Sequence, residues 1–336
     1  MGLLQIKYLK NPTIQEFEQI ESFVLSHPDA NFFQSIYYYS VCQNSPKIEP
    51  YYIVAFNQTA IVGLLLVVKQ YQINLPFLKF LSSRNVIWGG PLIQNNSIEV
   101  VEQLFIYYKK VFSNVIYTQI RNLVDTTFCM QWLTKIGFDY EPHLNILIDL
   151  KQPIEQLWKD VHSKRRNEIR RATKEGTLFA TKNDLASLID CFGILKEVYN
   201  RAKLPLPHFQ HFEEIFQNGN LKIFTAIYNE KIIGCMLCIS YKDILFDYYA
   251  GAYAQFYNKY PNDLLPWEVF KWAKENGYKT FDFGGAGKPH IPYGVRDYKL
   301  KFGGDLVNFG RYEKTHFPPL FKVVTFGFKL YNSIKK

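Results

Sequence analysis

The stretch 261–285 constrains the fold more than any other part of the chain. A helical pattern over 262–276 is closed by Gly277 and runs at once into a β run, 280–283, that ends in Asp282-Phe283-Gly284-Gly285. A helix feeding a strand this directly belongs to a helix-covered sheet. In open α/β sheets, sites lie beyond the carboxyl ends of the strands, so Asp282 and the two glycines fall where backbone must come close to a ligand. Asp282 reads equally well as a loop or helix cap. The Asp-Phe-Gly triplet does not signal a protein kinase, because neither a Gly-rich ATP loop nor a His-Arg-Asp loop accompanies it.

The same order recurs earlier. Residues 128–138 pass from helix through Gly137 to Phe138, as residues 270–281 pass from helix through Gly277 to Phe281. Thr13 caps an amphipathic stretch, 12–27, with Ile14, Phe17, Ile20, Phe23 and Val24 at helical spacing. The β runs 51–56 and 60–69 flank Asn57-Gln58-Thr59, and 221–228 and 231–241 flank Asn229-Glu230, which predicts two hairpins. Helices are expected over 99–112, 126–136, 184–201 and 209–217, and strands over 115–120, 143–150 and 244–250. The echo predicts two copies of one mixed α/β domain, 1–150 and 151–316, with 317–336 returning to the first.

Composition narrows the class. A length of 336 residues suits two domains, and 48% hydrophobic content excludes wholesale disorder. Aromatics reach 17%, with 28 Phe and 24 Tyr; such rings build thick cores and line sites where sugars, bases or lipid-linked groups stack. A net charge of +9 favours polyanionic partners, or is merely a solvated face. Five scattered cysteines make no disulfide framework. Cys235 and Cys238 have C-x-x-C spacing but sit inside the apolar run 232–239 with no second Cys/His pair nearby, so they read as core thiols and no metal site is expected. No run approaches the ~20 apolar residues of a membrane span. Residues 1–10 lack the apolar core of a secretory signal, and a cytoplasmic protein is expected.

Two further segments carry charge in a pattern. Residues 154–174 read as one long basic helix closed by Gly176, with a thin apolar seam of Leu157, Val161, Ile169 and Ala172. Arg166, Arg170 and Lys174 fall at i, i+4 and i+8 and form one stripe. Guanidinium forks suit phosphate, although a solvated helix paired through Glu168 and Glu175 has the same pattern. Residues 292–304 read as a strand with Lys299 and Lys301 on one face and Tyr298, Leu300 and Phe302 on the other. Two ammonium groups so placed can hold a diphosphate or a developing oxyanion; an edge strand protected by lysines looks alike.

Taken together these segments resemble a known family. Tyr-Pro-Asn-x-Leu-Leu-x-Trp-Glu begins at Tyr260, Trp-Ala-x-x-x-Gly-Tyr-x-x-Phe-Asp-Phe-Gly-Gly at Trp272, and Tyr-Gly-Val-x-x-Tyr-Lys-x-Lys-Phe-Gly-Gly at Tyr293. With the Arg-x-x-x-Ile-Arg-Arg-Ala helix, they are similar to the C-terminal domain of the Fem-type peptidoglycan interpeptide-bridge aminoacyltransferases. The similarity covers roughly 155–315; the first half matches in size and element order, with a loose Phe33-Gln34-Ser35 echo. The resemblance implies two tandem GNAT-like (acyl-CoA N-acyltransferase-like) domains of the short type, without a coiled-coil arm. It implies transfer of an aminoacyl group from charged tRNA to an amine of a UDP- or lipid-linked muropeptide, at most peripheral contact with the inner membrane surface, and no DNA partner. Lys299 takes the place of the family's lysine that supports the transferred carbonyl or phosphate. Tyr248 and Tyr249 take the place of tyrosines near the acceptor, with Tyr293 and Lys301 beside them as substrate-binding candidates. Arg201 is the nearest candidate for a phosphate-binding arginine. One departure is plain: Tyr37, Tyr38 and Tyr39 stand where the family has a lysine after the first-domain echo.

The chemistry expected is aminolysis of an activated ester. Lys299, Lys301 or Arg296 would meet the oxyanion, and Asp282, Asp297, a tyrosine or the substrate itself would take the amine's proton. No Ser/His/Asp or Cys/His arrangement suggests a covalent intermediate, and no cofactor is expected beyond aminoacyl-tRNA as co-substrate. The candidate set is therefore Lys299, Asp282 and Arg296 for catalysis, Tyr248, Tyr249, Tyr293, Lys301 and Arg201 for substrate, and Arg166, Arg170 and Lys174 for tRNA phosphate. A rival reading is an acyl-CoA N-acyltransferase acting on a cell-envelope polysaccharide or sugar-nucleotide amine. Its diphosphate loop needs glycine, and 254–263 holds none. A third reading is a non-catalytic tRNA- or membrane-surface binder. It draws on the tail 317–336, where Leu320, Phe321, Val323, Val324, Phe326, Phe328, Leu330 and Ile334 interleave with Lys322, Lys329, Lys335 and Lys336.

Overall fold

A computed structural model describes residues 4–323. The chain divides into two compact units, Met1–Pro142 together with the segment from Phe309 onward, and His143–Asn308.

The first unit opens with β1 (Leu4–Leu9), α1 (Ile14–Ser26), α2 (Ile36–Asn44), β2 (Ile48–Asn57) and β3 (Ala60–Gln70). It continues through α3 (Pro76–Leu81), β4 (Arg84–Gly89), β5 (Leu92–Ile93), α4 (Ile98–Phe112), β6 (Tyr117–Asn122), α5 (Met130–Lys135) and β7 (Asp139–Glu141). Thr13 and Glu16 close the expected capping box on α1. β2 and β3 are buried almost end to end, which is why they read as continuous apolar runs rather than alternating ones.

The second unit holds β8 (Leu144–Asp149), α6 (Ile154–Asp160), α7 (Ser163–Lys174), β9 (Leu178–Lys182), α8 (Leu185–Ala202), α9 (Phe209–Gln217) and the hairpin β10 (Leu221–Tyr228) and β11 (Lys231–Tyr241). β12 (Ile244–Ala252), α10 (Pro261–Glu275), β13 (Thr280–Gly285), α11 (Gly294–Leu300) and β14 (Asp305–Asn308) complete it. A last strand, β15 (Arg311–Thr315), belongs to the first unit.

The expectation of two copies holds at the level of strand pairing. The first sheet runs β1-β2-β3-β4-β6-β15-β7, with β5 beside β3; the second, read from its other end, runs β9-β10-β11-β12-β13-β8-β14. Along both paths every step is antiparallel except the fourth, which is parallel: β4 with β6, and β12 with β13.

Three expectations need correction. The domain boundary falls at Pro142/His143, not at 150, and the return to the first unit begins at Phe309, not 317. The reason is ladder completion. β8 pairs with β13 and β14 and buries Leu144, Ile146 and Ile148 in the second core, while β15 pairs with β6 and β7 and buries Tyr312 in the first. The single helix over 154–174 is two helices. Val161 is buried with extended backbone, and His162 caps α7 by accepting from the Lys164 amide while its own N–H donates to the Lys301 carbonyl at 2.8 Å. Lys299 and Lys301 lie at the end of helix α11, not on a strand, so residues two apart do not share a face. The described start of the tail packs in the first unit, Phe317 against Phe80 and Phe321 against Tyr117. The rest of the tail lies outside the described residues. All five cysteines are buried, as core thiols should be.

Candidate active site

The parallel pair of the second unit comes apart. β12 and β13 are in register at Ile244 with Thr280, Leu245 with Phe281 and Phe246 with Asp282. Beyond that point the ladder ends, although β12 continues to Ala252 and β13 to Gly285. Local geometry on each strand accounts for the parting. β12 carries a bulge, with Asp247 opposite Cys238 and Tyr249 opposite Leu237, so Tyr248 is the added residue. β13 turns at Gly284 (φ +69°), where a Cβ would meet the Phe246 ring at 3.2 Å. The pair β4 and β6 behaves otherwise. It stays in register to Gly89 with Asn122, and Gln34 Nε2 ties that end by donating to the Gly89 and Gly90 carbonyls. A parting of the parallel pair at its carboxyl ends, where sites of such sheets lie, is therefore a feature of the second unit.

Asp282 stands at the fork. It is 5% exposed. Its carboxylate accepts from the Gly284 amide at 2.7 Å and from Asn145 Nδ2 at 3.3 and 3.5 Å. Burial pushes its pKa up to about 6, against those hydrogen bonds and the Lys299 charge. Asp247, across the fork on β12, is also pushed up to about 6 by burial, with Lys299 opposing. The Lys299 ammonium donates to the Phe283 carbonyl and, at 3.4 Å, to that of Gly285, so helix α11 delivers a cation to the two carbonyls of the parted strand. Tyr248 and Tyr249 line the other strand. The Tyr248 hydroxyl lies 2.7 Å from His211 Nε2, and the Tyr249 ring packs on Tyr199 and Phe212 at 5.3 and 5.0 Å. Burial lowers the His211 pKa to about 4 and raises that of Tyr199. Tyr293, at the start of α11, is 40% exposed.

The structure thus brings Lys299 to Asp282, carries Tyr248 and Tyr249 on the facing strand, and sets other candidates to different work. Arg296 donates to the carbonyls of Lys288 at 2.7 Å, Ile291 at 2.9 Å and Ala286 at 3.5 Å; its fork holds a loop and is not offered to a reacting carbonyl. Lys301 ends α11 and joins α7 through its own carbonyl. Arg201 is bonded to Tyr257 Oη at 2.6 Å and Glu197 at 3.5 Å. In the basic stripe, Arg166 donates to the carbonyls of Trp158 and Lys159 and so closes the end of α6. Arg170 lies over the Trp158 ring at 5.4 Å, and Lys174 is exposed.

Four residues escaped the sequence reading. Asp247 was visible only as a charge inside an apolar β run, and His211 as a polar residue between Phe209 and Phe212. Asn145 is identified only by its partner Asp282. Arg165 pairs with Asp263 and Glu168 and stacks over Tyr298 at 4.8 Å, which ties α7 to α10 and α11.

Comparison with known proteins bears on the fold. Residues 160–300 match the acetyltransferase (GNAT) domain family. The UDP-N-acetylmuramoylpentapeptide-lysine N(6)-alanyltransferase of Weissella viridescens is 24% identical over 152 residues, which is 43% of this chain and 44% of that one. The match thus spans less than half the length of this curated relative. The crystal structure of FemX superposes with a TM-score of 0.73 at 15% identity, covering 94% of this chain and 99% of that one. A tandem GNAT protein from the clavulanic acid biosynthesis pathway gives 0.59 at 8% identity, covering 94% and 99%. The two units with their shared pairing order make this a tandem GNAT fold. Within that class the chain is similar to the Weissella alanyltransferase over those 152 residues and to FemX in fold, and no coiled-coil arm is present among the described residues.

Proposed function

We propose that the chain is an aminoacyltransferase that moves an aminoacyl group from charged tRNA to an amine of a UDP- or lipid-linked muropeptide, with the reaction at the β12–β13 fork. The observation that carries this reading is Lys299 held at the fork within the electrostatic reach of Asp282. A lysine ammonium has three donors. Two are taken by the Phe283 and Gly285 carbonyls, and the third meets the oxygen of the aminoacyl ester as negative charge develops there. Asp282, ionised above about pH 6, takes a proton from the acceptor amine. The C–N bond forms, the ester C–O bond breaks, and Asp282 returns the proton to the leaving ribose oxygen. Arg170 and Lys174 contact the tRNA backbone as cations. A lipid-linked acceptor would bring the protein to the inner face of the membrane; no helix among the described residues is long and apolar enough to cross one.

A second reading is favoured by the GNAT family match, namely transfer from acyl-CoA to a sugar or polysaccharide amine. The amino end of α10 argues against a CoA diphosphate there. Pro261 removes one N–H, Asp263 places a carboxylate in the first turn, and a 3-10 turn over Ala254–Lys259 precedes it without glycine. The deciding assay offers radiolabelled charged tRNAs, and separately acetyl-CoA, to UDP- and lipid-linked muropeptides. Label that RNase abolishes supports tRNA-dependent transfer. Transfer from CoA alone supports the second reading, and transfer from neither defeats both.

A further inference from the structure

The scheme above leaves one pair unused, a half-buried tyrosine and a buried histidine. Tyr248 is the residue that the β12 bulge adds, so it has no register partner on β11 and sits one residue past Asp247 at the fork. Its ring is boxed by Tyr249 at 4.6 Å and 88°, Phe246 at 6.4 Å and Phe212 at 6.1 Å. Its hydroxyl meets His211 Nε2 at 2.7 Å. His211 is buried on α9, which packs on β10 of the same sheet. Burial lowers its pKa and leaves this imidazole neutral near pH 7. A neutral imidazole has one nitrogen that donates and one that accepts. If Nε2 accepts, the tyrosine's only proton is engaged by His211, and its oxygen is left to act as an acceptor.

We propose that Tyr248 is a catalytic residue of the transfer, accepting a hydrogen bond from the attacking amine, and that His211 is the positioning residue that fixes the direction of the Tyr248 hydroxyl. This rests on the aminoacyl-transfer reading. No net proton passes through the pair; the amine's proton goes to Asp282 and then to the ribose oxygen. What the pair contributes is orientation. An amine whose N–H is held by Tyr248 has its lone pair directed at the ester carbonyl beside Lys299, and such alignment acts on the chemical step more than on ground-state binding.

Two arms test it. In the first, 15N NMR of the full-length protein, with His211→Gln to assign the signal, reads the tautomer. A ring protonated at Nδ1 supports the proposal, and one protonated at Nε2 overturns it, because the tyrosine proton would then point into the fork. In the second, Tyr248→Phe and His211→Phe each lower kcat by about 10- to 100-fold with KM within about twofold, the double variant is no worse than either single one, and His211→Gln, which keeps an acceptor, recovers most of the loss. Unchanged kcat in Tyr248→Phe, or additive losses, overturns it. A wild type that transfers from no donor defeats the underlying reading, and the catalytic role with it, whichever tautomer is found.

Discussion

Asn145 Nδ2 donates to both carboxylate oxygens of Asp282, at 3.3 and 3.5 Å, although its register partner on β13 is Gly285 and not Asp282. The irregularity in β13 between these two residues is what lets the amide reach the acid. This donation favours the ionised carboxylate against its burial. Asn145→Leu therefore moves the acidic limb of the kcat–pH profile above about 6, and Asp282→Asn removes the limb. A profile from pH 5 to 9 for each variant checks both.

Lys299→Met removes the cation at the developing oxyanion. A contact of this kind contributes about 2.7–4 kcal/mol, so kcat falls by about 100- to 1000-fold, while the loss of the donor to the Phe283 and Gly285 carbonyls lowers stability by only about 1–3 kcal/mol. The comparison to make is kcat against differential scanning calorimetry on the same preparation.

Arg166 and Lys174 separate structure from tRNA binding. Arg166→Ala uncovers two carbonyls at the end of α6 and lowers stability by about 1–3 kcal/mol, with activity per folded molecule kept. Lys174→Ala, at an exposed site, changes stability by less than about 0.5 kcal/mol and reduces the salt dependence of tRNA binding by about one unit of slope. Denaturation curves and a salt titration of binding distinguish the two.

Opposed buried groups shape stability between pH 4 and 6.5. His211 falls from 6.5 to about 4 on folding, so the unfolded state binds more protons in that window. Its contribution to stability therefore rises with pH up to about 6.5 and is flat above. Asp282 and Asp247 rise from 3.8 to about 6, the folded state binds more protons, and their contribution falls with pH from about 4 to about 6. On going from pH 4 to 7, the change in stability becomes less favourable by up to about 3 kcal/mol in His211→Gln and more favourable in Asp282→Asn. Urea unfolding at the two pH values measures each difference.

Gly304 and Gly277 both have left-handed backbone, at +88° and +81°. A Cβ on Gly304 would lie 2.5 Å from the Leu147 carbonyl oxygen, whereas one on Gly277 meets nothing within 4 Å. Gly277→Ala costs about 1 kcal/mol from conformation alone, and Gly304→Ala costs more than about 3 kcal/mol because β14 must shift off β8. Thermal midpoints of the two variants give the comparison.

What the sequence disclosed follows from range. Thr13, the hairpin at Asn229-Glu230, helix 209–217 and the passage through Gly277 into β13 are set by residues within a turn or two of each other, and these were legible. The placement of β8 and β15 depends on which sheet lacks a strand, and nothing near Leu144 or Arg311 states that. The tracts 154–174 and 292–304 misled for a related reason. Charge spacing described Arg166 and Lys301 as surface groups, but Arg166 is turned onto the carbonyls of the preceding helix and Lys301 ends a helix that reads locally as alternating strand. At the site, Asp282 stood out because it precedes two glycines at a strand end, and Lys299 because the family resemblance placed it. Asp247 and His211 act through burial and distant partners, which a linear pattern does not record.

The place of β15 has a consequence for how the chain comes off the ribosome. β7 is held to the first sheet through β15, and β15 lies after the whole second unit in the sequence. When β7 emerges, its partner is still some 170 residues from synthesis, between Glu141 and Arg311. The nascent first sheet therefore waits with β6 as an open edge, while the second unit, whose strands are contiguous from β8 to β14, has all it needs as soon as Asn308 is clear. Translation order and folding order run opposite in this protein: the half made first is the half finished last.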